Sequence, residues 1–193
     1  VLLILKELIV GLFIGFVAYL VIAAVQVAGG FIDFQMGFAI ANVIDPQTGA
    51  QSPLTGQFLY TITLLFLITV DAHHMLLDGI VYSYELIHLD SFISFGNESL
   101  PLFLIKTFSQ MFIIAFQIAI PIVGCLFLVD IALGIIARTV PQVNVFVVGL
   151  PLKIFVSFVV LLLSLGIYTI LIQKLFETMT HAMRDIMVLL GGA

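Results

Sequence analysis

Asp71, His73, His74 and Asp78 are the densest set of potential metal ligands in the sequence. A zinc-type centre needs three or four N, S or O donors converging on one point. Adjacent histidines on a helix point about 100° apart, and no second cluster with ligand spacing stands elsewhere in the sequence. A hydrated break at a membrane interface is therefore the better reading, and no metal is expected. Asp33, Asp71 and Asp130 sit among apolar residues and are the positions where a proton relay would have to be. Asp130 and Arg138 share one helix face but are too far apart for a direct pair, so each reads as a structural or inter-subunit contact. No Ser-His-Asp spacing and no phosphate-cradling glycine loop is visible, and Cys125 is the single cysteine. No catalytic residue and no cofactor is expected.

The elements that must carry these residues are apolar throughout. Of 193 residues, 63% are hydrophobic and 9% charged, with a mean hydropathy of +1.32, against about 45–50% and about 25% for a soluble domain. That balance excludes a water-soluble core, a disordered chain, a collagen and a disulfide scaffold. It leaves an integral membrane protein or a subunit buried in an apolar assembly. Net charge is −5 with six Lys and Arg in all, so no basic face exists for nucleic acid. The same six residues are too thinly spread for the positive-inside rule to orient the chain. Val1 opens directly on a helical pattern without a signal-peptide pattern, which reads as a fragment or processed region with apolar material upstream.

Residues 8–32 carry no charge and can cross a bilayer. Gly11 and Gly15 form a GxxxG, followed by Ala18, Ala23, Ala24, Ala28, Gly29 and Gly30, a spacing that lets another helix approach closely. Asp45-Pro46, Gly49 and Ser52-Pro53 break the pattern and predict a loop over 42–53. Nonhelical backbone among apolar segments is tolerated only when buried in protein or lining a water-filled cavity, so this stretch is the strongest candidate for function. A second helix is predicted over 54–89, its apolar face interrupted by Asp71, His73 and His74, then a polar turn over 94–101. A third, over 102–138, would be about 55 Å long, with Pro121 as its kink. Residues 139–153, with Pro141, Gly149 and Pro151, read as a hairpin connection to a fourth helix over 154–190. On that last helix Leu175, Phe176, Met179, Met183, Ile186, Met187 and Leu190 form one stripe, opposite Lys174, Glu177, His181, Arg184 and Asp185. The stripe reads as helix packing, with an adaptable partner surface as the alternative. The fold class is thus all-α and membrane-associated, with long kinked helices in two hairpins.

Three motifs carry a resemblance. They are Gln35-Met-Gly-Phe-Ala-Ile-Ala-Asn-Val-Ile-Asp45-Pro46 with Gly49, Pro53 and Gly56-Gln57; Asp71-Ala-His73-His74; and Ala137-Arg138-Thr-Val-Pro141-Gln142-Val-Asn144-Val-Phe146-Val-Val-Gly149-Leu-Pro151-Leu. In this order they resemble the FliR family of the type III secretion export gate, which has an equivalent in virulence injectisomes. The resemblance implies residues 1–193 as a single gate subunit without its N-terminal helices, a FliP-like half over 1–100 and a FliQ-like helical hairpin over 101–193. It implies packing with FliP-like and FliQ-like subunits into a helical multi-subunit export gate in the bacterial inner membrane, at the flagellar basal body. Much of the subunit would lie on the periplasmic side. An FlhB-like switch protein and membrane lipid would be its other neighbours, and unfolded flagellar proteins its cargo.

Within that family the loop after the first helix pair plugs the channel. Carried over, the plug falls on residues 36–52, with Met36, Gly37, Phe38, Ala39, Ile40, Ala41, Asn42, Val43, Ile44, Asp45, Pro46 and Gly49 as its pore-facing or shaping residues. Some members have Phe at the positions of Ile40 and Val43. Gly11, Gly15, Asp130, Arg138, Pro141, Gln142, Asn144, Phe146, Gly149 and Pro151 would serve as structural or subunit contacts. An apolar loop across a pore excludes ions by dewetting. The competing reading, from broken helices and intramembrane carboxylates, is a small secondary transporter or ion channel.

Overall fold

The computed structural model describes residues 2–38, 53–87, 99–142 and 144–191. Among these the chain is helical: α1 Leu2–Met36, α2 Leu54–Thr69, α3 Ala72–Leu86, α4 Ser99–Thr139 and α5 Val145–Gly191. Leu3–Met36, Leu100–Thr139 and Val145–Gly191 are each long and apolar enough to cross a membrane, and the bent pair α2–α3 would make a fourth crossing. At 1.5 Å per residue α4 and α5 run to about 60–70 Å, well beyond a bilayer core. The all-α, membrane-type expectation holds.

Two boundaries differ from expectation. The helix predicted over 54–89 is two helices, bent by 74° at the break after Thr69. Asp71 there takes the left-handed conformation, φ 55° and ψ 21°, which ends the regular path of α2 and turns the chain. Its carbonyl then accepts from the His74 amide at 3.0 Å, starting α3. The second difference is the length of the α4–α5 connection. Helix α5 starts at Val145, not 154, because the Asn144 side chain accepts from the Phe146 amide at 3.2 Å as an N-cap. Pro151 is tolerated within α5, as Pro121 is within α4. Each removes one backbone bond and crowds the carbonyl four residues before it, a local cost that these long apolar helices carry. Gly149 is buried, where an added Cβ would stand 3.1 Å from the Leu133 side chain, so α4 and α5 pack tightly beside their turn.

The described residues form two compact units. One comprises Val1–Ala24, Ile62–Ile114 and Ile172–Ala193, the other Val25–Thr61 and Ala115–Leu171. Each draws on both sequence halves, so packing and chain order partition the molecule differently. In the first unit the C-terminal stripe is core: Leu175, Phe176, Met179, Met183, Ile186, Met187 and Leu190 are all buried. Met183 lies against Gly79, and Gly191 against the Leu86 carbonyl. The opposite face, Lys174, Glu177, His181, Arg184 and Asp185, is exposed. In the second unit, Leu126 is buried, and Ile118, Ile122 and Leu161 are buried near Tyr168, whose hydroxyl donates to the Leu59 carbonyl at 2.9 Å.

A large apolar surface remains uncovered. Only 17% of the most apolar window of α5 is buried, and Phe146, Phe155, Leu162, Leu163 and Ile170 stand out from it. That surface requires lipid or neighbouring subunits.

Candidate functional site at the stem of segment 36–52

The second unit holds the place where the chain leaves α1 and re-enters at α2. Helix α1 ends in a Schellman motif: the Phe38 amide donates to the Asp33 carbonyl at 3.0 Å and the Gly37 amide to the Phe34 carbonyl at 3.2 Å. Gly37 supplies the left-handed residue this turn requires, at φ 91°. Met36, immediately before it, is fully buried.

Asp33 serves both ends of the segment. Its carbonyl closes the Schellman turn, and its buried carboxylate accepts from the Thr55 amide at 3.1 and 3.3 Å and from the Thr55 hydroxyl. Thr55 lies in the first turn of α2, whose leading amides have no partner within the helix. The carboxylate therefore caps α2 from outside, and the positive end of the helix favours its charge. Gly29 and Gly56 make this approach possible: a Cβ built on Gly29 falls on the backbone of Gly56. Residues 53 and 38 are thereby held close to one clamp.

A second polar contact sits two residues on. The Gln35 side-chain amide donates to Asp130 Oδ2 at 2.8 Å, and Lys153 Nζ pairs with Asp130 Oδ1. A cavity of about 310 Å³ adjoins it, lined by Met36, Gly37, Asp130, Leu133, Gly134, Val145, Phe146, Gly149, Leu150 and Lys153.

The expected site residues divide as follows. Met36, Gly37, Phe38, Asp130, Phe146 and Gly149 fall at or beside this stem. Ala39, Ile40, Ala41, Asn42, Val43, Ile44, Asp45, Pro46 and Gly49 lie outside the described residues. Gly11 and Gly15 belong to the other unit and meet no described residue of this chain within 4 Å of an added Cβ, while Gly29 and Gly56 make a close helix approach. Arg138, Pro141, Gln142 and Pro151 are exposed near the α4–α5 turn, and Asn144 caps α5. Sequence reasoning passed over Thr55 and Lys153 as partners. The available signals were a carboxylate on an otherwise apolar helix, which must find donors, and a threonine opening the next helix.

Asp71, His73 and His74 come together in the first unit, with ligand atoms within 4.8 Å of one another. Asp71 Oδ1 lies 3.7 Å from His74 Nδ1 and 4.0 Å from His73 Nε2. His73 Nδ1 is buried without a hydrogen-bond partner among the described residues. A metal on Nε2 would place the ring proton on that nitrogen, a buried donor lacking the acceptor that metal-bound histidines use. The arrangement fits a helix start better than a metal centre.

Residues 1–179 match the family model described as bacterial export proteins, family 1. The sequence is 59% identical over 187 residues to the flagellar biosynthetic protein FliR of Bacillus subtilis, covering 96% of this chain and 72% of that protein. It is 28% identical over 191 residues to the FliR of Pectobacterium carotovorum, 99% and 72% covered. The Yop proteins translocation protein T of Yersinia pestis matches at 34% over 148 residues, 77% and 57% covered.

Proposed function

This chain belongs to family 1 of the bacterial export proteins and is a subunit of the type III export gate, and from that premise we propose how it works. It is a core subunit of the flagellar gate in the inner membrane and forms part of the channel for unfolded flagellar proteins. Segment 36–52 is the plug of that channel, and the gate opens when a passing chain displaces it.

The observation that carries this reading is the double use of Asp33. One residue closes the end of α1 through its carbonyl and caps α2 through its carboxylate. A segment whose two ends are clamped together can be held in, or withdrawn from, a pore as one body. The uncovered apolar faces of α4 and α5 support burial against FliP-like and FliQ-like neighbours, with an FlhB-like switch protein near the entrance. Much of the subunit then lies on the periplasmic side, in helices longer than a bilayer requires.

Passive leakage tests the plug. Cells carrying the gate with residues 36–52 removed should leak small ions above the native level. Unchanged permeability in a fully assembled gate overturns the plug.

A further inference from the structure

We propose that Asp130 is the positioning residue that fixes the C-terminal end of α1 to the α4–α5 hairpin, with Lys153 holding its carboxylate toward Gln35. This rests on the reading of residues 36–52 as the plug and says what restrains it.

One carboxylate here serves two elements through its two oxygens. Oδ2 accepts from Gln35, two residues before the turn at Gly37, and Oδ1 pairs with Lys153 on α5. Side-chain exposure is 36% for Asp130 and 21% for Lys153. The pair is neutral as a whole, which suits an apolar setting, and a charged acceptor makes the Gln35 bond stronger than an amide–amide bond. Met36 is fully buried, and a cavity of about 310 Å³ beside it and Gly37 reaches Asp130 and Lys153. The polar contact therefore adds to the restraint that packing gives the helix end.

The two clamps of this unit have different work. Asp33 with Thr55 joins the end of α1 to the start of α2. Gln35 with Asp130 joins the segment to the hairpin. Breaking the first separates the end of α1 from the start of α2, whereas breaking the second frees the end of α1 from the hairpin.

The test uses the full chain in the assembled gate, with Cys125→Ala as background and Phe38→Cys as a reporter, and reads the rate of labelling by a membrane-permeant maleimide. Gln35→Ala should raise that rate at least about tenfold, the lower end for one hydrogen bond to a charged group, and Asp130→Asn, which keeps an amide acceptor, should raise it by a smaller factor. Gln35→Ala leaves the Asp130–Lys153 pair intact, so it reads the restraint even where Asp130→Asn fails to assemble. The double change Gln35→Glu with Asp130→Asn exchanges donor and acceptor at constant net charge and should return labelling to within about threefold of native. A purely structural role for Asp130 would not give that rescue. Native-rate labelling in Gln35→Ala, or no rescue by the exchange, overturns the proposal. Leakage on removal of residues 36–52 is scored separately, so the restraint and the plug can fail independently.

Discussion

Gly29→Ala puts a methyl group where the backbone of Gly56 already runs, and its effect follows from that geometry. The added Cβ would overlap the Gly56 Cα and N and stand 3.0 Å from the Thr55 carbonyl carbon. Backbone cannot rotate aside as a flexible side chain does, so α1 and α2 must part by roughly 1 Å or more, an overpacking cost of about 1–3 kcal/mol. The same movement draws the Thr55 amide away from Asp33, where it now sits at 3.1 Å. Losing that charge-assisted bond costs a further ~1.5–3 kcal/mol. Replacing a helical glycine by alanine returns about 0.8–1 kcal/mol of helix propensity. The net loss is about 2–5 kcal/mol, a fall of roughly 5–15 °C in apparent Tm for a chain of this size. Gly11→Ala is the matched control: no described residue of this chain lies within 4 Å of its added Cβ, so it should be neutral or raise Tm by a few degrees, roughly the propensity gain alone. Thermal unfolding of the detergent-solubilised complex gives the comparison, and hydrogen exchange at the Thr55 amide gives the local readout. Equal Tm values for the two variants, with Thr55 exchange unchanged, would refute the close-approach argument.

Two further outcomes follow from single groups. Ser157 is fully buried and its hydroxyl has no partner among the described residues, so Ser157→Ala should be neutral or stabilise by up to about 1 kcal/mol, read by the same melts; a loss of that size would show that the hydroxyl is bonded. Asp71 holds a left-handed backbone with its side chain exposed, so Asp71→Gly should leave stability within about 1 kcal/mol of native or raise it, and Asp71→Val should cost about 1–2 kcal/mol. The reverse order would place the bend elsewhere.

Much of the architecture was legible because apolar periodicity is insensitive to detail. The stripe from Leu175 to Leu190 reads as packing and is core, with its charged face outward. The α4 boundaries fell within a few residues of those expected. What misled was local chemistry competing with tertiary structure. Gly149 and Pro151 read as a turn, yet Asn144 supplies the cap and the absence of a Cβ at Gly149 lets the helices close on Leu133. Asp71 reads as an interruption of an apolar face, but its left-handed backbone, which converts interruption into a bend, leaves no mark in composition. The stem was half legible. Gly37 and Met36 came from a motif, whereas the pairing of Asp33 with Thr55 and of Asp130 with Lys153 joins residues far apart in sequence. Such pairs are fixed by folding, and one sequence states only that each carboxylate needs a donor.

Ion flux through the purified, fully assembled gate in vesicles tests the central claim most directly. The account predicts a closed gate with the native chain and a steady leak when residues 36–52 are removed from the same complex. Equal flux from both complexes at equal subunit content would contradict it.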